Sequence, residues 1–258
     1  DAVCTPSHLE TIDLLESLFD QALLMRAEDG CDGQPRYRML TSIRDFALER
    51  LHEVGDEDLL RARHAAWFLG LAESLEPALL DAGQGAAITR ITRAMPNLRQ
   101  ALEFMIHQGD QESALRLATA LDRYWLIQTR RDEARAAFDT IFAMGDPQAT
   151  PAWGAALRCA AINAESRFDN QTALDLIKQA IVIWEALGDT AWVARSRIDL
   201  GNVYNNLGEF DDAIREFEQA AALNDPTTDR RTYVVAAGSI AFALMRKGAL
   251  SASDGAFT

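Results

Sequence analysis

Small and apolar residues recur along the second half of the chain at a period close to 40 residues. The clearest unit spans residues 200–226. Its pattern positions are Leu200, Gly201, Tyr204, Gly208, Ala213, Phe217 and Ala220. Equivalent residues stand one and two periods earlier, as Ala173, Ile177 and Ala180 and as Ala134, Phe138 and Ile141. A period of this length indicates stacked helical hairpins, so the sequence predicts an all-α, right-handed α-solenoid.

Helix packing and turn chemistry explain this pattern. Small residues such as Gly201 let two antiparallel helices approach, and bulky residues such as Phe217 fill the space that remains. Gly208 separates the predicted helices 194–207 and 211–223. Glycine suits this position because it adopts the left-handed conformation that ends a helix.

The register returns once more near the C-terminus. Positions of the clearest unit recur 40 residues later as Ile240, Ala241, Leu244, Gly248, Ser253 and Phe257. This predicts a last hairpin with a turn at Gly248 and a second helix that is cut short at Thr258.

The first quarter of the chain carries a different pattern. Helical spacing of apolar residues predicts a helix over residues 12–24. Two short segments, residues 23–28 and 36–40, flank a turn-rich stretch and predict a β-hairpin. Another helix is predicted over residues 43–54. This order is typical of the end of a winged helix, so residues 1–58 are predicted to form a partial winged-helix domain.

The middle of the chain is predicted to consist of linking helices, over residues 59–110. The first covers residues 61–75, and the side chains predicted to be buried there are Trp67, Phe68 and Leu71. The second covers residues 98–107 and is opened by Pro96-Asn97. Residues 111–258 then form the predicted repeat domain.

The clearest unit resembles the tetratricopeptide repeat. That family places Leu-Gly-x-x-Tyr in the first helix of each hairpin and Ala-x-x-x-Phe-x-x-Ala in the second. The matching residues of this chain are Leu200, Gly201, Tyr204, Ala213, Phe217 and Ala220. Arg197 replaces the aromatic residue that the family has early in the first helix, and an earlier repeat has Asp122 and Trp125 in place of Gly and Tyr.

A broader resemblance covers nearly the whole chain. Residues 14–51, 63–73 and 96–104, in this order and at this spacing, are similar to the junction region of bacterial STAND-type ATPases, including SARP and LuxR-like transcriptional regulators. The resemblance implies a winged helix and a helical-repeat sensor that follow a nucleotide-binding domain. Since the chain opens at Asp1 without a methionine, we expect that ATPase domain to lie upstream as an intramolecular partner.

The charge of the chain argues against nucleic acid as a direct partner. The chain has 39 acidic and 25 basic residues and a net charge of −14. The helix predicted nearest the N-terminus carries Glu10, Asp13, Glu16 and Asp20 but no lysine or arginine, so that face repels phosphates. We therefore expect no direct contact with nucleic acid, although winged helices often bind DNA.

The sequence offers no constellation that predicts an enzyme. It lacks the phosphate-binding loop G-x-x-x-x-G-K-[ST], its four histidines have no partner at helical spacing, and its three cysteines form no CxxC pair. We expect no catalysis, no cofactor and no metal site. The cysteine usage fits the cytoplasm, and no apolar run reaches the roughly 18 residues of a membrane-spanning helix.

The concave face of the repeats is the candidate binding surface. First helices line such a groove, and alignment to the unit at Leu200 places seven residues on or near it. They are Arg123, Arg158, Glu165, Arg195, Asn202, Asn205 and Phe242. A mixture of arginine and asparagine favours a peptide backbone or an acidic ligand, through charge-assisted hydrogen bonds. A solvated helix face without a ligand is the alternative.

The sequence leaves two functional hypotheses. In the first, the chain is the regulatory sensor of a STAND-like transcriptional regulator, which binds a protein, peptide or small effector and relays its occupancy to the ATPase domain. In the second, the repeats are a constitutive protein scaffold without switching.

Overall fold

The structure, a computed structural model, describes residues 8–27, 36–146, 148–223 and 230–255. These residues form helices almost throughout, with one short β-hairpin. The N-terminal elements are α1 (His8–Asp20), β1 (Leu24–Ala27), β2 (Arg36–Met39) and α2 (Thr41–Val54). The elements that follow are α3 (Glu57–Leu75), a 3-10 turn (Pro77–Leu80), α4 (Gln84–His107), α5 (Gln111–Ile127), α6 (Arg131–Phe142), α7 (Pro151–Glu165), α8 (Asn170–Leu187), α9 (Thr190–Leu207), α10 (Phe210–Leu223) and α11 (Arg230–Gly255).

The N-terminal elements follow the predicted order of helix, hairpin and helix. α1 ends at Asp20, earlier than predicted, and Ala22 then takes a left-handed φ of 55° that turns the chain into β1. β1 and β2 pair antiparallel, with Leu24 opposite Met39. The predicted turn between them lies outside the described residues. α2 buries none of its side chains and contacts α3.

Helix α3 packs Phe68 and Leu71 against the core only in part, and it leaves the third predicted side chain in solvent. Trp67 is 43% exposed, so the prediction that it is buried is wrong. Its ring instead packs edge-on against the half-buried Phe68, with centroids 4.6 Å apart. The side chains that α3 does bury are Ala65, Leu69, Ala72 and Leu75. Because α3 packs against both α4 and α5, small residues at the contact let the helices approach more closely than an indole would.

Helix α4 is longer than predicted because it runs through Pro96. A proline inside a helix removes one backbone hydrogen bond and clashes with the preceding turn. Burial of the flanking Met95 and Leu98, and of Ile91 and Ala101 one turn away, outweighs that cost here. The prediction that Pro96-Asn97 opens a helix is therefore wrong.

Helices α5 to α10 form antiparallel hairpins, in which α5 pairs with α6, α7 with α8 and α9 with α10. The predicted register positions of the second helices are all buried, namely Ala134, Phe138, Ile141, Ala173, Ile177, Ala180, Ala213, Phe217 and Ala220. Gly201 is needed for close approach, since a Cβ there would lie 2.5 Å from the Phe217 ring. Gly154 is equally close to Trp184. The predicted fold of stacked helical hairpins is confirmed.

The turns within the hairpins share one backbone feature. The residue in the left-handed region is Thr129 between α5 and α6, Phe168 between α7 and α8, and Gly208 between α9 and α10, with φ of 55°, 64° and 83°. Aspartate caps three helices of the array, since Asp110, Asp169 and Asp189 accept hydrogen bonds from backbone N–H groups of α5, α8 and α9. Glycine is thus used in only one of these three turns.

Helix α11 differs from the predicted last hairpin. It runs without interruption from Arg230 to Gly255, so the turn predicted at Gly248 is wrong. At Gly109 and Gly188 the left-handed glycine is followed directly by a capping aspartate, whereas Gly248 is followed by alanine and leucine. Without a cap to start a new helix, the existing helix continues.

The buried side chains of the described residues form two clusters. The larger cluster extends from α3 to α9 and includes Leu200 and Val203. The smaller cluster joins α9, α10 and α11, and Ala194 and Ile198 are its members from α9. Helix α9 therefore contributes opposite faces to two separate cores.

Candidate functional site

The first helices of the hairpins, α5, α7 and α9, lie side by side and form one face of the array. Four of the seven predicted site residues line a single cleft of about 440 Å³ at the C-terminal end of this face. They are Glu165 on α7, Asn202 and Asn205 on α9, and Phe242 on α11. The structure does not bring Arg123, Arg158 or Arg195 into this cleft.

Arg158 and Arg195 meet at another place, the ring of Trp192. Their guanidinium carbons lie 5.6 and 5.0 Å from its ring centroid. Trp192 is itself stacked on Trp184, with centroids 5.2 Å apart. Arg158 also donates from Nε to Oδ2 of Asp199 at 2.5 Å. The charge of Arg158 is therefore already compensated within the chain.

Arg123 is exposed, but its neighbour Asp122 is half-buried against α7. Burial raises the pKa of Asp122 to about 6, although the Cys159 thiol and the guanidinium of Arg158 favour the carboxylate. Burial also raises the pKa of the Cys159 thiol well above its ordinary value. Cys159 is therefore protonated at neutral pH and unsuited to act as a nucleophile.

Glu165 is the carboxylate of the cleft. Its Oε1 accepts a hydrogen bond of 2.7 Å from Nδ2 of Asn206. Burial and the nearby carboxylate of Asp199 raise the pKa of Glu165 above its ordinary range. Burial likewise raises the pKa of Asp199, despite its pairing with Arg158. Desolvation is therefore the largest influence on both carboxylates.

Three residues of this face were missed in the sequence although helical spacing points to them. Asp199 lies four residues after Arg195, and Asn206 lies four residues after Asn202, so each pair shares a helix face. Asp122 occupies the repeat position that Gly201 holds two periods later, which is a position of helix contact. That placement explains why this aspartate is half-buried.

Residues 8–27, 36–146, 148–223 and 230–255 contain no group of three or more histidine, cysteine or carboxylate side chains arranged to hold a metal ion. In the same ranges, no helix combines the length and the apolar character that crossing a bilayer requires.

Comparison with known proteins identifies the repeats. Residues 154–225 match the model of the tetratricopeptide repeat. A protein of Mycobacterium tuberculosis (strain ATCC 25618 / H37Rv) that carries the name "Putative HTH-type transcriptional regulator" is 33% identical over 144 residues, which cover 54% of this chain. The match covers only 16% of that protein, and the same holds for its counterpart in Mycobacterium bovis.

Solved structures share the fold at low sequence identity. TPR-like repeats of a "putative kinesin light chain" from Podosopora anserina superimpose with a TM-score of 0.56, at 16% identity over 74% of this chain and 92% of that one. The STAND protein with a tetratricopeptide repeat sensor from Pyrococcus horikoshii gives a TM-score of 0.52, at 14% identity over 92% of this chain and 38% of that one. The chain thus contains a tetratricopeptide-repeat region and is similar in fold to the repeat sensor of a STAND ATPase.

Proposed function

We propose that this chain is the sensor region of a STAND-like ATPase transcriptional regulator, and that its partner binds on the face formed by α5, α7 and α9. One observation carries the proposal: Glu165, Asn202, Asn205 and Phe242, from three different helices, converge on one cleft of about 440 Å³. Convergent polar groups between apolar walls are typical of a recognition site. The similarity in sequence to a protein named "Putative HTH-type transcriptional regulator", and in fold to a STAND protein with a repeat sensor, supports the proposal that the chain belongs to a STAND-like regulator.

The N-terminal elements fit a role as the connection to an ATPase domain. α1, the β-hairpin and α2 expose large apolar side chains, namely Leu14, Phe19, Tyr37, Leu40 and Phe46. An exposed group of apolar residues favours contact with another protein surface over contact with water. We propose that this partial winged helix docks on the ATPase domain of the longer protein and takes no direct part in binding nucleic acid.

Relay of occupancy requires that the partner bind one arrangement of the longer protein better than another. Under this proposal, a partner in the cleft contacts α7, α9 and α11 together and so favours one placement of α11 relative to α7. The chain's own contribution is recognition, and we assign it no catalytic step. The second candidate, a constitutive scaffold, is favoured by the continuous buried cluster from α3 to α9, which is typical of a rigid support.

The proposal is tested in the full-length regulator that contains this segment. Nucleotide hydrolysis, oligomeric state and reporter transcription are measured for the parent, for deletion of residues 111–258, and for the cleft variant Asn202→Ala/Asn205→Ala. A sensor predicts that the deletion changes all three measurements and that the cleft variant loses the response to the cognate partner. A matched control is Glu218→Gln, which alters an exposed carboxylate of α10 outside the cleft.

Identical hydrolysis and oligomerisation after the deletion contradict the sensor proposal. A partner that purifies with the protein at constant stoichiometry under all growth conditions, together with unchanged hydrolysis, supports the scaffold instead.

A further inference from the structure

The cleft between α7, α9 and α11 has two kinds of wall. Apolar side chains of α11 form one side, with Val234, Val235 and Phe242 all exposed to solvent. Polar side chains of α7 and α9 form the other, with Glu165, Asn202, Asn205 and Asn206. A ligand that fits this cleft therefore has an apolar or planar part beside a strongly polar part.

The polar wall presents hydrogen-bond acceptors that the chain leaves unused. Glu165 accepts a hydrogen bond from Asn206, but no lysine, arginine or histidine of the described residues forms an ion pair with it. Asn205 is only 6% exposed, and its Oδ1 has no hydrogen-bond partner among the described residues. A buried acceptor without a partner is destabilising, so a ligand that donates to Asn205 recovers that free energy.

The charges around the cleft favour a cation. Asp199, the carboxylate beside Glu165, is already paired with Arg158, and burial raises the pKa of both Glu165 and Asp199. A positive group placed near them would stabilise their ionised forms. The chain as a whole has a net charge of −14, which attracts basic partners over a distance.

Arg246 shows that this end of α11 accommodates a guanidinium. Its Nη1 donates to the backbone carbonyl of Asn205 at 3.0 Å, and its guanidinium carbon lies 5.2 and 5.9 Å from the ring centroids of Phe210 and Phe242. This arginine uses the main chain of Asn205 and forms no hydrogen bond with its side-chain oxygen. A guanidinium that a ligand places on the Phe242 ring would therefore lie near the positive charge of Arg246.

We propose that the cleft binds an arginine side chain of a basic segment in a protein partner. The guanidinium would donate to the Glu165 carboxylate and to Oδ1 of Asn205, while its plane packs on the Phe242 ring and its methylene groups pack on Val234 and Val235. Arginine fits better than lysine because its planar group donates in several directions and stacks on an aromatic ring. This inference rests on the proposed function and specifies its partner, in place of the peptide backbone or acidic ligand that the sequence favoured.

The test uses the full 258-residue chain and blocked pentapeptides with four alanines around a central residue. The central residue is arginine, citrulline, lysine or glutamate, and citrulline is the neutral isostere of arginine. Affinity is measured by NMR titration, with the side-chain amide signals of Asn202 and Asn205 as the reporters. Glu165→Gln keeps the size and the bond from Asn206 while removing the charge, and Glu218→Gln is the matched control.

We expect the arginine peptide to bind at least about tenfold more tightly than the citrulline peptide, with lysine between them. Glu165→Gln should remove that preference, Glu218→Gln should keep it, and added salt should weaken binding. Circular dichroism checks that each variant is folded. Equal affinity for arginine and citrulline, an unchanged preference in Glu165→Gln, or no shift with the arginine peptide overturns the inference.

The glutamate peptide separates this inference from the proposed function. If it binds and shifts the Asn202 and Asn205 signals while the arginine peptide does not, the inference is wrong and the site on this face stands. If instead deletion of residues 111–258 leaves the full-length regulator unchanged, the proposed function fails, whatever the peptides show.

Discussion

Gly201 is the residue at which packing leaves least room. Its Cα faces the Phe217 ring so closely that a Cβ would lie 2.5 Å from a ring carbon, and Phe217 is almost completely buried. We expect Gly201→Ala to lower the free energy of unfolding by about 1–3 kcal/mol, because the ring has no free space to move into. Urea unfolding followed by circular dichroism measures the change.

Gly70→Ala is the matched control. Gly70 is also a helical glycine, but nothing lies within 4 Å of a Cβ built on it. Alanine there should stabilise α3 by about 0.5–1 kcal/mol through its greater helix propensity. Equal effects of the two substitutions would contradict this expectation, because they would show that the Phe217 ring makes room for a Cβ at Gly201.

Asp122 makes the free energy of unfolding depend on pH. Its pKa is raised to about 6 in the folded chain, above the roughly 3.9 of an unfolded aspartate, so the folded state binds the proton more tightly. The free energy of unfolding therefore falls as pH rises from about 4 to about 6. The cost of the ionised carboxylate at pH 7 is at most about 3 kcal/mol.

Asp122→Asn removes this cost. We expect the variant to unfold at higher urea concentration than the parent at pH 7, and the difference between them to vanish near pH 4. Asp139→Asn, which alters an exposed carboxylate of α6, is the control and should leave the difference between pH 4 and pH 7 unchanged. A variant that is less stable than the parent at pH 7 would contradict the assignment.

The sequence predicted buried residues well where one repeat could be compared with another. The register of Ala213, Phe217 and Ala220 was found because their equivalents return at nearly constant steps, and all of them are buried. The partial burial of Asp122 was not predicted, because aspartate is usually a surface residue. Its position in the register is nevertheless that of Gly201, which lies at a helix contact. The pairing of Arg158 with Asp199 was not predicted either. It requires α7 to contact α9, and the sequence pattern within a single helix does not show which helices are in contact.

At the scale of the element, the turn between α7 and α8 is strained. Phe168 has a φ of 64°, where a residue other than glycine costs about 1–2 kcal/mol, and its side chain is 91% exposed. We expect Phe168→Gly to raise the free energy of unfolding by about 1 kcal/mol, because it relieves strain and loses almost no contact. Thermal unfolding measures the gain.

Phe168→Ala separates strain from loss of the ring, because alanine keeps a Cβ in the same backbone conformation. This variant should have nearly the stability of the parent. If Phe168→Gly were destabilised to the same degree as Phe168→Ala, the phenylalanine ring would have to make contacts that stabilise the turn.

The ends of helices were predicted best where the glycine or proline signal in the sequence was not overridden by tertiary contacts. Gly208 has both a left-handed conformation and a helix on each side, as its register required. Pro96 and Gly248 carry signals that usually end helices, yet α4 and α11 continue through them. For Pro96 the burial of neighbouring residues decides the outcome, and that burial comes from tertiary contacts. The division into domains at residues 58 and 110 stays a prediction.

At the scale of the whole molecule, stability should vary along the array. In a solenoid each repeat contacts its neighbours, so the loss of a terminal helix weakens the adjacent repeat most. We expect a chain that ends at Leu223 to lose the contacts of Ala236 and Ala243 and to expose Phe217. Hydrogen exchange should then show α10 opening with at least about 2 kcal/mol less free energy, while protection in α5 and α7 changes little.

A chain that ends at Lys247 is the control, because it retains Ala236 and Ala243. Its exchange in α10 should match that of the parent. A uniform loss of protection from α3 to α10 in the shorter chain would show that the described residues unfold as one unit, against the expected local response.

The position of α9 in both cores has a mechanical consequence. Its inner face holds the large cluster together through Leu200 and Val203, and its outer face supports α10 and α11 through Ala194 and Ile198. That outer face packs extensively against α10, where Phe217 fills the space between small residues, and so positions the last two helices beside α7. We therefore expect a ligand seated between α7 and α11 to load the smaller cluster first, while the larger cluster keeps the rest of the array rigid.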